Sequence, residues 1–338
     1  MKRKKQWVAK SLKLASTQVV GSFIIFTMVA LSIHSMMTPA LASEDKVIYG
    51  EDNRVSAQAH SSSYLQYLSE SVAGMVPQDF LSPKINGNFK YKAEKIGTLG
   101  GNKRLCPGQK FADEPTASMC TGFLIAPNLI MTAGHCVEIM GKEAACKDNK
   151  WVFDYQYKSG DDFASYEVPK DNVYNCAEVV SSFYKPPLKL DYAIIRLDRD
   201  VVGREPVELA KEKTTDKTKL VIMGHPSGLP LKIAEGAEVI DNTDSVRFTA
   251  SVDSFQGNSG SPVFNAETGA VEGILVSGRA DYEIVEHEEL GLCRVVSTCT
   301  QDSKTCGEKT GEEMVGPAEG VTRVSTIAKL TEIILSGL

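Results

Sequence analysis

The chain predicts an all-β fold ending in a helix, on three observations. From about Cys106 onward, short apolar runs alternate with turn residues, the texture of a β-barrel or sandwich. Residues 123–126 and 129–132 are two such runs joined by Pro127-Asn128, a hairpin signal. Residues 324–335 break the pattern, because Val324, Ile327, Leu330, Ile333 and Ile334 recur at helical spacing.

Further strands are expected over 192–197, 219–223, 246–251, 262–264 and 270–276, with Glu267-Thr268-Gly269 as the turn between the last two. No internal repeat is found. Residues 43–105 are polar and mixed, with Ser61-Ser62-Ser63 and scattered Gly and Pro. They read as a pro-segment or N-terminal extension, which leaves 106–338 as the folded domain.

Residues 1–42 read as an export signal. Six basic residues and no acid precede or flank an apolar run over 19–33, and Thr38-Pro39-Ala40-Leu41-Ala42 is a small-x-small cleavage pattern. A secreted or periplasmic protein is expected, with membrane attachment only through an uncleaved signal. Formal net charge is -6 over the whole chain and -12 without residues 1–42. An acidic surface opposes phosphate-backbone binding, so no nucleic-acid partner is expected. The eight cysteines all follow Ala42. An even count in an exported chain points to disulfides, and no CxxC pair suggests a metal site.

Gly257-Asn258-Ser259-Gly260-Ser261-Pro262 carries the sharpest chemical signal. A serine hydroxyl needs an adjacent base to take its proton and donors to hold the oxyanion that forms. Glycines let the backbone turn tightly and aim N–H groups inward, so the N–H groups of Gly257 and Ser259 are the expected oxyanion donors. Ser261 is the competing hydroxyl, and Pro262 directly after it counts against it.

Of five histidines, His34 lies in the export signal, His60 in the polar N-terminal segment and His287 in an acidic, surface-like stretch. His135 closes Thr132-Ala133-Gly134-His135-Cys136 directly after an apolar run, where an imidazole can serve as base and then as acid. His225, in Gly224-His225-Pro226-Ser227-Gly228, looks like a turn residue and reads as structural or near the pocket rim. The base needs a carboxylate to fix its tautomer. Asp191 opens the apolar strand Asp191-Tyr192-Ala193-Ile194 and lies between the His and Ser motifs.

Taken together, Cys120-Thr121-Gly122-Phe123, Thr132 to Cys136, Asp191 to Ile194 and Gly257 to Pro262 resemble the trypsin/chymotrypsin superfamily. The bacterial branch that includes the glutamyl endopeptidases is the most similar. The order His, Asp, Ser is that family's order. The resemblance covers roughly 105–338 and implies two six-stranded antiparallel β-barrels, with His135, Asp191 and Ser259 as a triad in the cleft between them. It also implies a Cys120–Cys136 disulfide around the base. Among the remaining six cysteines, Cys146 with Cys176 is the expected pair, since both lie between the His and Asp motifs.

The family offset places Asp253, six residues before Ser259, at the base of the primary specificity pocket. Ser254 and Val276-Ser277-Gly278 would complete its wall. A carboxylate there favours Arg or Lys on the acyl side of the cut. Leu275 takes the position of the pocket His of the glutamyl branch, which weakens a glutamate preference. Val47-Ile48-Tyr49-Gly50 resembles the mature N-termini of that branch, so a zymogen cut after Lys46 is expected, which would make 43–46 a very short pro-peptide and the stretch to Cys106 part of the mature enzyme. Asn258 stands where trypsin-like zymogens carry the Asp that pairs with the new N-terminus, so that ion pair is not expected.

The implied activity is a secreted serine endopeptidase acting on protein or peptide substrates through an acyl-enzyme, as a monomer without metal or organic cofactor. The alternative is a protease-like binding protein without turnover, although such proteins usually lose a triad member. An α/β-hydrolase esterase is disfavoured, because its Ser precedes its His in sequence.

Overall fold

A computed structural model describes residues 47–99, 104–156, 167–300 and 318–327. The export-signal reading of 1–42, Lys46 and Cys306 lie outside the described residues.

Twelve strands build two barrels and are numbered here in chain order. The first barrel comprises β1 (Val72–Pro77), β2 (Cys120–Ala126), β3 (Leu129–Thr132), β4 (Asn149–Phe153), β5 (Val173–Lys185) and β6 (Leu190–Leu197). They close in the order β4-β5-β6-β3-β2-β1, with every pairing antiparallel. The second comprises β7 (Lys219–Gly224), β8 (Lys232–Asp241), β9 (Arg247–Ala250), β10 (Pro262–Asn265), β11 (Val271–Ser277) and β12 (Glu319–Arg323). Its antiparallel order is β7-β10-β11-β12-β9-β8, and β8 returns to pair with β7. Closure removes the exposed edges that an open sheet would present.

The expected hairpin at Pro127-Asn128 is the β2–β3 connection, and both strands are wholly buried. Their continuous apolar runs face the barrel core on one side and packed neighbours on the other. Phe123, Leu124, Ile130, Met131 and Ile194 are fully enclosed in that core. Phe248, Val263, Leu275 and Val321 fill the second barrel. Of the expected helix over 324–335, Val324–Thr326 forms a 3-10 turn, and residues 328–338 lie outside the described residues.

The structure moves the start of the folded domain upstream of 106. Ser-rich residues 61–63 lead into the helix Ser63–Ser69, whose first turn is capped by the Ser62 hydroxyl accepting from the Leu65 N–H. Then β1 pairs with both β2 and β4, so the first barrel cannot close without it. Val55–Ser56 adds to the edge of β8 in the second barrel. The segment read as an extension is therefore integral. Its strand is short, flanked by polar residues and interrupted by Gly74, which hides the apolar run in sequence.

Three disulfides join described residues: Cys120–Cys136, Cys146–Cys176 and Cys106–Cys293. The third ties the residues before β2 to a hairpin of Tyr282–His287 and Gly291–Val296 that projects between β11 and β12.

Candidate active site

β3 ends at Thr132, and His135 opens the short helix His135–Glu138. Gly134 makes this turn possible, because a Cβ there would lie 2.1 Å from the carbonyl oxygen of Phe183. Asp191 stands at the start of β6, opposite Tyr184 of β5. Its two carboxylate oxygens divide the work. Oδ1 accepts the main-chain N–H of His135 at 3.0 Å, and Oδ2 lies 2.8 Å from His135 Nδ1. Both residues are buried, and the Tyr184 ring meets the imidazole edge-to-face. A carboxylate accepts only, so the facing Nδ1 carries the proton and Nε2 is the basic nitrogen. The main-chain bond ties the histidine backbone to the same carboxylate.

Ser259 lies in the turn that precedes β10. Thr121, next to Cys120, holds this turn on both flanks. Its N–H donates to the Ser259 carbonyl at 2.8 Å, and its hydroxyl donates to the Gly257 carbonyl at 2.8 Å. The same hydroxyl accepts the His225 N–H at 3.1 Å. Gly257 (φ +97°) and Gly260 (φ +90°) both adopt left-handed backbone. Side chains at either would collide, with His225 O at 2.5 Å and Thr121 O at 2.0 Å respectively.

The peptide between Gln256 and Gly257 is fixed as well. Its carbonyl accepts the Ser227 N–H at 2.5 Å, and the Gln256 N–H donates to Asp281 Oδ2 at 2.9 Å. A trans peptide points its N–H opposite to its carbonyl. The Gly257 N–H therefore faces away from Ser227, and among the described residues it makes no hydrogen bond. Ser261 is fully buried, and its hydroxyl is within reach of Asn258 Oδ1 at 3.4 Å.

His225 is buried and does not line the cleft beside His135. Its ring stacks on Tyr155, Nδ1 meets the Leu229 carbonyl at 2.9 Å, and burial pushes its pKa down to about 4. The sulfurs of Cys120 and Cys136 lie near the His135 ring, but they form a disulfide and offer no thiolate to a metal.

Around Asp253 the geometry differs from the expected pocket base. The carboxylate is buried, with Oδ1 accepting the Tyr49 N–H at 2.8 Å and Oδ2 the Asn53 N–H at 3.1 Å. Burial pushes its pKa up to about 7, against the pull of those two N–H groups. Ser254 donates through its hydroxyl to Glu319 Oε2 at 2.7 Å, and its N–H donates to the Val47 carbonyl at 3.1 Å. Val47, Ile48 and Tyr49 are themselves buried, and Ile48–Tyr49 pairs in parallel with Thr298–Cys299. Asp253 and Ser254 therefore hold the N-terminal segment. Val276 is buried, the Ser277 hydroxyl accepts from Arg247 Nη1 at 3.3 Å, and Gly278 is half-buried.

The structure thus gathers Asp191 with His135, and Gly257 with Ser259 and Thr121. Thr121, Ser227, Asp281 and Glu319 are contributors that sequence motifs did not mark. Thr121 and Ser227 sat inside quoted stretches, next to Cys120 and two residues after His225, but neither was singled out.

Residues 120–274 match the family model described as the trypsin-like peptidase domain. With the two closed barrels, this match supports the trypsin/chymotrypsin-like serine protease superfamily. No curated protein matches the chain. Among solved structures, a Glu endopeptidase is 18% identical, with 86% of this chain and 99% of that one covered and a TM-score of 0.45. The VesB protease of Vibrio cholerae is 13% identical, covering 85% and 67%, with a TM-score of 0.46. The human heparin binding protein is 17% identical, covering 65% and 87%, with a TM-score of 0.43.

Proposed function

We propose that the protein is an exported serine endopeptidase in which Ser259 is the nucleophile, His135 the base and Asp191 its orienting acid. The observation that carries this reading is the paired contact of Asp191 with both the ring and the main chain of His135. That contact leaves Nε2 as the proton acceptor. Ser259 Oγ attacks the scissile carbonyl as Nε2 takes its proton, and the imidazolium then protonates the departing amine. The N–H groups of Gly257 and Ser259 receive the oxyanion. Gly257 supports this role, since its peptide is held by Ser227 with the N–H turned away from that bond. Water repeats the sequence on the acyl-enzyme.

The disulfides among the described residues favour an oxidising compartment, secreted or periplasmic. Among the described residues no helix is long and apolar enough to cross a membrane. Substrates are proteins or peptides. An Arg or Lys preference through Asp253 finds no support in its bonding, because both oxygens already accept backbone N–H groups. Val276, Ser277 and Gly278 remain the proposed wall of the acyl-side pocket.

The test is cleavage of a peptide library by the purified protein, with products read by mass spectrometry and Ser259→Ala and Asp191→Asn run in parallel. Internal cleavage by wild type and none by Ser259→Ala supports the reading. Equal cleavage by wild type and Ser259→Ala would refute it. Binding of the peptides without cleavage by either protein would favour a catalytically silent binding protein.

A further inference from the structure

We infer that the cleft beside His135 selects a large apolar side chain on the leaving-group side of the scissile bond, which rests on the assignment of Ser259 and His135 above. The cleft has a volume of about 450 Å³, and His135, Gly257 and the Cys120–Cys136 disulfide form one side of it. None of Asp253, Ser254, Val276, Ser277 or Gly278 lines it. It is therefore a space distinct from the proposed acyl-side pocket. The base hands its proton to the departing amine, so the leaving group emerges where His135 and Gly257 border the cleft.

The large apolar parts of the remaining walls lie outside the barrel strands, beside the polar Thr116, Ser118, Ser227 and Gln256. Met119 precedes the disulfide, Ile139 and Met140 follow the His135 helix, Leu105 comes from the segment before β2, and Tyr282 opens the projecting hairpin. Leu105 is buried, whereas Met119 is 41% and Ile139 62% exposed. Large apolar side chains standing in water at the mouth of a catalytic cleft mark a surface that gains by being covered.

Two polar groups of the hairpin wall bond to neighbouring residues of the protein. The Tyr282 hydroxyl lies 2.6 Å from Ser227 Oγ, and Asp281 Oδ2 accepts the Gln256 N–H. Arg294, the cation of the lining, lies over the Tyr282 ring at 5.6 Å from its centroid. Two unbranched methionines at the rim suit side chains of varied apolar shape, such as Leu, Met or Phe.

Acyl transfer tests this directly. p-Nitrophenyl acetate acetylates Ser259 with loss of p-nitrophenolate, and the acetyl group has no side chain for the acyl-side pocket to read. An amino-acid amide then competes with water for the acetyl-enzyme. Its nitrogen bonds to the acetyl carbon, the ester bond to Ser259 breaks, and the amine proton passes through His135 to Ser259 Oγ. The ratio of N-acetylated amide to acetate is measured for Leu-, Phe-, Gly- and Asp-amide.

Leu- and Phe-amide are expected to capture the acyl group about ten-fold better than Gly-amide. Ile139→Asp and Met119→Asp are expected to bring that ratio close to the Gly-amide value. Both sites are exposed, and a ratio of products from one acyl-enzyme does not depend on how much variant is folded. Equal capture of all four amides by a competent acetyl-enzyme overturns the inference alone. Absence of a Ser259-dependent acetyl adduct overturns the assignment of Ser259, and the inference with it.

Discussion

The main-chain N–H of Tyr49 donates to Oδ1 of Asp253 at 2.8 Å across 204 residues of sequence. Together with the bond from Asn53 to Oδ2, it makes a buried acid the anchor of the chain's N-terminal segment. The carboxyl rises from an ordinary 3.8 to about 7, chiefly through burial. A group with a raised folded pKa holds its proton more tightly folded than unfolded. Its contribution is full below about pH 4 and is lost as pH rises through about 7. Asp253→Asn cannot ionise and lacks this slope. The expected outcome is that the melting temperature of Asp253→Asn minus that of wild type increases between pH 5 and pH 8. Parallel curves would show that the carboxyl titrates at its ordinary value.

Asp191→Asn tests the other carboxylate. An amide at this position leaves the shape intact but presents an N–H to one of two donors, His135 N or Nδ1. With the amide N–H facing Nδ1, the imidazole carries its proton on Nε2 and cannot take one from Ser259. A loss of about 10⁴ in kcat is expected, with KM much less affected. Steady-state kinetics on the best peptide decide it, and a loss confined to KM would contradict the role.

Gly257→Ala adds a methyl that must displace the His225 carbonyl, on a backbone at φ +97° that alanine disfavours. The peptide that presents the Gly257 N–H rotates in response. About 10²–10³ in kcat is expected to be lost, the scale of one oxyanion donor. Thr121→Val keeps the shape but leaves the Gly257 carbonyl and the His225 N–H without their shared hydroxyl. Urea unfolding is expected to show a cost of about 1–3 kcal/mol.

Lys232 and Glu114 form a buried ion pair, with Lys232 Nζ also donating to Ser56 Oγ at 3.0 Å. Burial pushes the lysine down to about 8 and the glutamate up. Lys232→Met strands the carboxylate, at a cost of about 3–5 kcal/mol. The double variant Lys232→Met/Glu114→Gln is expected to recover most of that. A double-variant cycle by urea unfolding measures the difference, and additive losses would contradict the pairing.

The barrels were legible where strands were apolar and bounded by turn residues. The run at 129–132 and the β10–β11 turn at Glu267-Thr268-Gly269 read directly, because full burial of both strand faces forces continuous apolar sequence. β1 was not legible, since six residues around Gly74 look like any loop until β2 and β4 pair with them. The hairpin at Tyr282 also escaped. Ile284 is 52% exposed and acids flank it, so no buried face wrote a period into the sequence. At the site, motifs marked His135, Asp191 and Ser259 because the proposed chemistry demands particular side chains. The use of Asp253 was hidden, since its partners are backbone N–H groups that every residue but proline carries.

The central claim is that Ser259 is a nucleophile activated by His135. The most direct measurement is the intact mass of the purified protein after exposure to a fluorophosphonate, with the adduct located by peptide sequencing. One adduct per chain on Ser259, abolished in His135→Ala although Ser259 is still present, is the predicted result. No adduct, an adduct on Ser261, or undiminished labelling in His135→Ala would contradict the account.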